Sequence, residues 1–160
     1  MVSCIGELDR WRCSNRLKLS INKTDFILLG TRQQIEKANS VQLGGICIHS
    51  STIVTCLLVL NDNELTFSAH IKRLTGRCFY QLHQLHTVHR ALSVEAARTL
   101  LHAFVISRMN YCNSIFRSMS AVHLRSLQCV LHAAARLIVK RLKFDRITDT
   151  LRDELQWLPV

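Results

Sequence analysis

From residue 67 onward the apolar positions fall into three sets: Phe67, Ile71, Leu74, Cys78, Leu82 and Leu85; then Ala97, Leu101, Phe104, Cys112 and Ile115; then Leu124, Leu127, Leu131, Ala134 and Ile138. Steps of three and four hold each set on one face of a 3.6-residue helix, so the pattern predicts three amphipathic helices in series. Ser93 is placed to cap the second, with Glu95 in its first turn, and Ser120 to cap the third. Upstream the pattern changes. Ile5, Leu8 and Trp11 predict a short helix over residues 3–14, which Asn15 can end, and Phe26-Ile27-Leu28-Leu29-Gly30 reads as a buried strand. Residues 31–40 are polar and predict a loop or a single helical turn. Residues 46–49 and 52–60 are rich in β-branched side chains and predict a hairpin joined at Ser50-Ser51. After the three helices, Ile147, Leu151, Leu155 and Leu158 predict a short fourth one ending at Pro159. The predicted class is α+β, predominantly helical, with small strands over residues 1–65 and a helical array over 66–160.

Composition sharpens this picture. One proline, five glycines and 48% hydrophobic residues in 160 argue for a folded chain of about one ordinary domain. The longest apolar run, near residues 53–60, is too short to span a membrane, and Glu7 and Asp9 stand where a signal peptide needs an apolar core. Seven cysteines with no Cys-x-x-Cys pair suit a reducing compartment. The expected location is intracellular, nuclear or cytoplasmic, with no membrane partner.

The charge is concentrated. Residues 66–146 carry thirteen Lys or Arg against Glu95 and Asp145, a net +11, whereas residues 1–65 come to +1 and 147–160 to −2. Two dense groups stand out, Lys72-Arg73 with Arg77, and Lys140-Arg141 with Lys143. Such an imbalance points to a polyanion, most simply RNA or DNA read without sequence preference; a solvated helix surface gives the same count.

Catalytic chemistry finds little support. The chain has no Asp-Asp pair, and its acidic residues are scattered without metal-cluster spacing. His83, His86 and His89 recur every three residues, so each step turns about 300° and the outer two diverge by about 120°, a poor arrangement for one ion. Cys78, Cys112 and Cys129 fall on apolar faces and are expected to be small core residues. No serine or acid stands at triad spacing from His102 or His132. Phe79, Tyr80, Tyr111 and Phe116 lie among basic residues, where aromatic rings can stack on bases; on amphipathic helices they are expected to anchor the core instead. No cofactor and no metal is expected.

The wording of the chain adds a resemblance. Leu65-Thr66-Phe67-Ser68-Ala69-His70-Ile71, Cys78-Phe79-Tyr80-Gln81-Leu82, Leu101-His102-Ala103-Phe104-Val105, Arg108-Met109-Asn110-Tyr111-Cys112-Asn113 and residues 127–138 together resemble the region following the polymerase core of LINE-type (non-LTR), jockey-like retrotransposon reverse transcriptases. The likeness covers nearly all 160 residues in one order. It implies that residues 1–65 are a palm remnant downstream of the catalytic aspartates and that 66–160 are a helical thumb-like region gripping a template–primer duplex. It also implies that Lys23, in Asn22-Lys23-Thr24, lies near the incoming nucleotide. Leu57-Leu58-Val59 resembles the family's Leu-Gly-Val element beside the primer end, with Leu58 in the place of the glycine and Asn61 in that of an apolar residue. Ser20 and Asp25 stand where the family more often has Asn and Glu. The family's reaction is RNA-templated DNA synthesis with two magnesium ions held by palm aspartates, one pair in an Ala-Asp-Asp run that this chain does not contain. The functional expectation is a truncated reverse-transcriptase-like protein that binds nucleic acid weakly and does not polymerise by itself. The competing expectation is a retroelement relic or a domesticated helical module that binds protein, with self-association through exposed palm strands.

Overall fold

The computed structural model describes residues 2–17, 20, 23–30, 33, 40–43 and 46–139. The expected fourth helix, the polar segment after residue 30 (all but Gln33 and Ser40) and the Lys140, Arg141 and Lys143 group lie outside these residues. The fold is α+β and mainly helical. Contacts divide the chain into two compact units, Met1–Thr66 and Phe67–Val160.

In the first unit, α1 spans Val2–Ser14. It ends where Arg16 takes a left-handed conformation (φ 56°). The Leu17 N–H then donates to the Arg12 carbonyl at 2.9 Å and the Arg16 N–H to that of Cys13 at 3.2 Å, which satisfies two orphan carbonyls of the last turn. Asn15 adds its side chain, Nδ2 donating to the Trp11 carbonyl at 2.8 Å. Two residues of the apolar set expected to face inward, Leu8 and Trp11, are exposed.

The strands differ from the expected hairpin. There are two hairpins, β1 (Ser40–Leu43) with β2 (Ile46–His49), and β3 (Ile53–Cys56) with β4 (Val59–Asp62). Both are antiparallel, with Leu43 opposite Ile46 and Cys56 opposite Val59, so each is closed by two residues. Ser50-Ser51 is not a turn within a hairpin; it links β2 to β3. The turn falls inside the stretch read as one strand, at Leu57 and Leu58, whose φ angles of 47° and 69° give the doubly left-handed turn that matches strand twist. Gly44-Gly45, between β1 and β2, is a hairpin signal that the apolar pattern alone passed over.

Residues 26–30 are not a buried strand either. Phe26 makes a single parallel bridge to Ser50, and Leu29 is exposed. The segment is held by backbone bonds at its ends, Ser51 N–H to the Phe26 carbonyl (2.7 Å) and Gly30 N–H to that of Asn63 (3.3 Å). An apolar run without sheet partners on both sides has no ladder to join.

The second unit holds the apolar core. Its main helices are α2 (Ser68–Val88), α3 (Val94–Leu101), α4 (Ser107–Asn110) and α5 (Ala121–Val139). α2 and α5 pack most extensively, with α3 and α4 against them. Ile71, Leu74, Cys78, Leu82 and Leu85 of α2 meet Leu127, Val130, Leu131, Ala134, Leu137 and Ile138 of α5 in one cluster. The Ser68 hydroxyl and Nε2 of His123 lie 2.9 Å apart and tie the first turns of the two helices together. Ser93 caps α3 as its position predicted, its Oγ accepting from the Ala96 N–H at 3.2 Å.

The second helix is interrupted in a way the pattern did not show. Between α3 and α4, residues His102–Ile106 form a π turn. The Ser107 N–H reaches back five residues to the His102 carbonyl, and the Ser107 hydroxyl donates to the Ala103 carbonyl that this N–H would otherwise have served. The wider turn carries Val105, Ile106 and Met109 into the core and leaves Phe104 40% exposed. The helix then stops at Asn110, so Cys112 and Ile115 belong to the next segment. Cys112 is left-handed (φ 55°) and leads into a 3-10 turn, Asn113–Ser118.

Candidate nucleic-acid interface

Within residues 67–139 there are nine Lys or Arg and a single carboxylate, Glu95. One acid cannot neutralise nine cations, so the helical unit carries a net positive surface. None of the nine is buried: Lys72, Arg77, Arg90, Arg98, Arg108, Arg117 and Arg125 are exposed, Arg73 and Arg136 half-buried. Those on α2 and α5 sit off the apolar stripe of their helix because the stripe takes the positions facing the other helices.

The expected trio on α2 does not form one patch. Arg73 and Arg77 are one turn apart on the same face, whereas Lys72 lies about 140° round the helix from Arg77. Tyr80 and Gln84 continue the Arg73–Arg77 line, all four within about 60° of one another. Phe79, His83 and His86 continue the line of Lys72. Lys23 belongs to the other unit; it is exposed, and its N–H donates to the Ser20 carbonyl at 3.0 Å.

Two expectations about side chains do not hold. Phe79 (44% exposed) and Tyr80 (61%) are not core anchors, because the core face of α2 is filled by Cys78, Leu82 and Leu85: Tyr80 lies about 140° or more from all three, and Phe79 stands at the edge of that face, about 60° from Leu82 and 100° or more from the other two. Tyr111 is also exposed, and of the four aromatics only Phe116 is buried. Cys129 is exposed too, lying across α5 from Leu127 and Leu131, and Cys112 is half-buried. Cys78 alone of these three is a closed core residue: burial pushes its thiol up to about 11, against a smaller opposing pull from Arg108. Such a thiol is chemically inert.

The rings of His86 and His89 stack, centroids 5.7 Å apart and 7° from parallel. Among the described residues no group of three or more His, Cys, Asp or Glu side chains is placed to hold an ion. Nor is any helix among them long and apolar enough to cross a membrane.

Two histidines instead couple the fold to pH. Burial lowers His70 below 6.5, with the Arg73 charge adding to it, and His132 is lowered by burial and then by Arg136. The unfolded chain takes up these protons near 6.5 while the folded chain does not, so stability is full above that pH and is lost as pH falls below it towards the folded values. The melting temperature of the helical unit should therefore drop between about pH 7.5 and 5.5. His70→Gln combined with His132→Gln should flatten that slope; an unchanged slope would place its origin elsewhere.

No protein-family model, curated protein or solved structure matches the chain.

Proposed function

We propose that the helical unit binds RNA or DNA weakly and without sequence preference, as the thumb-like region of a non-LTR reverse transcriptase, and that residues 1–65 are a palm remnant. What supports the reading is the ratio of nine exposed or half-buried cations to one carboxylate over residues 67–139. Phosphates bound by such a surface release condensed counterions, so affinity falls with salt. The cations point in several directions, and about four to six phosphates can be engaged at once, giving a log–log salt slope near −4 to −5 for duplex DNA.

Fluorescence anisotropy of a labelled primed duplex against increasing salt tests this. Replacing Lys72, Arg73 and Arg77 by glutamine should weaken binding to RNA and DNA alike and flatten the slope without changing helicity. The same change at Lys140, Arg141 and Lys143 should act similarly. No salt-dependent binding at low ionic strength would leave only a solvated surface and end the reading.

Polymerisation is a separate matter. The sequence has no Asp-Asp pair to hold two magnesium ions at a primer hydroxyl. The purified chain with primed template, dNTPs and magnesium should extend nothing. Template-dependent incorporation by a preparation free of other polymerases would overturn that.

A further inference from the structure

The outward face of α2 has a composition that simple charge does not explain. Along one line it presents Arg73, Arg77, Tyr80 and Gln84, with Gly76 one turn before Tyr80 and no acidic residue anywhere on the helix. Helical side chains lean towards the preceding turn, so Tyr80 stands on the side of α2 that Gly76 and Arg77 occupy one turn earlier. At Gly76 a Cβ would meet nothing within 4 Å. The space at Gly76 is therefore open, and no internal packing demands a glycine there, although glycine is a poor residue in a helix interior. Tyr80 itself is 61% exposed, the most exposed aromatic among the described residues of the helical unit.

These elements together make a stacking platform flanked by cations. A duplex offers phosphates to Arg77 but keeps its bases stacked on one another. An unpaired strand offers a phosphate and a free base face one nucleotide apart, and base–aromatic stacking works with any base. Gln84, a turn beyond, can donate to or accept from a base edge without choosing strongly among bases. We propose that the Arg73–Arg77–Tyr80–Gln84 face of α2 binds single-stranded nucleic acid in preference to duplex, with Tyr80 stacking on an unpaired base and Arg77 holding the adjacent phosphate. This deepens the nucleic-acid reading above and rests on it.

The test compares an unpaired oligothymidylate, an unpaired oligouridylate and a mixed-sequence duplex of equal length, each labelled, with the full chain at low salt. The single strands should bind more tightly than the duplex. Tyr80→Ala should weaken single-strand binding about tenfold, the scale of one lost stacked base, and leave duplex binding as it was. Tyr80→Trp should keep or strengthen single-strand binding, and Arg77→Gln should weaken both kinds. Because the ring is largely outside the core, none of these variants should alter the helical circular dichroism. If single strand and duplex bind alike and Tyr80→Ala moves neither, the stacking site is wrong while general binding stands. If neither ligand binds in a salt-dependent way, both fall. A ratio between oligothymidylate and oligouridylate far from one would overturn the indifference to sugar that stacking and phosphate contacts alone imply.

Discussion

Leu127→Ala should lower the stability of the helical unit by about 3 kcal/mol. Leu127 has no exposed surface and lies in the cluster where α5 meets α2, with Leu101, Val105 and Val130 equally closed. Removing its side chain loses the transfer of the missing carbons from water, and it leaves a cavity that helices pinned on both sides cannot fill. Net stabilities of small domains are about 5–15 kcal/mol, so the loss is a large share of the total. Urea unfolding followed by far-ultraviolet circular dichroism should show the midpoint falling with little change in slope. Tyr80→Ala, at an exposed position of the same unit, should stay within about 0.5 kcal/mol of the parent. A loss below about 1 kcal/mol for Leu127→Ala would mean that the helices do not close over it.

The second large effect should have the opposite sign. Leu57 and Leu58 both take left-handed conformations at the tip of the β3–β4 hairpin, and their side chains are 79% and 70% exposed. A Cβ crowds the following carbonyl in that region at a cost of about 1–2 kcal/mol per residue. Asparagine tolerates it and glycine adopts it freely, which is why Asn-Gly is favoured in two-residue hairpins. Leu57→Asn with Leu58→Gly should strengthen the hairpin by about 1–2 kcal/mol after allowing for the greater freedom of glycine in the unfolded chain. Amide exchange over residues 53–62 should slow roughly tenfold, since about 1.4 kcal/mol is a decade in an equilibrium constant. Unchanged exchange would place the turn elsewhere.

The helical half was legible because a buried helix face repeats with a fixed period and its caps have a local chemistry. Thus Ile71, Leu74, Cys78, Leu82, Leu85, Ala97, Leu101, Leu127, Leu131, Ala134 and Ile138 are buried where the spacing put them, and Ser93 caps α3. The strand half was not, since a run such as residues 52–60 has the same composition whether it is one strand or two strands and a turn. Only backbone strain at Leu57-Leu58 separates the two, and a pair of leucines gives no warning of it. Phe79 and Tyr80 face outward for a related reason: an aromatic residue beside an apolar stripe is usually part of it, and a step of one or two residues from Cys78 is enough to turn it away.

The π turn at His102–Ile106 makes the chain unequally sensitive to the length of its own message. In a regular α-helix, losing one residue rotates everything beyond it by about 100° and takes the next apolar side chains out of the core. Here the surplus residue is already present as the wide turn. A chain one residue shorter within 102–106, lacking the half-exposed Phe104 for instance, can close that turn to the ordinary four-residue spacing and still aim Leu101, Val105 and Met109 at α2 and α5. The same deletion within α5 has no slack to draw on and scrambles the core. In the second helix, three lost nucleotides at that one place remove a bulge and spare the fold.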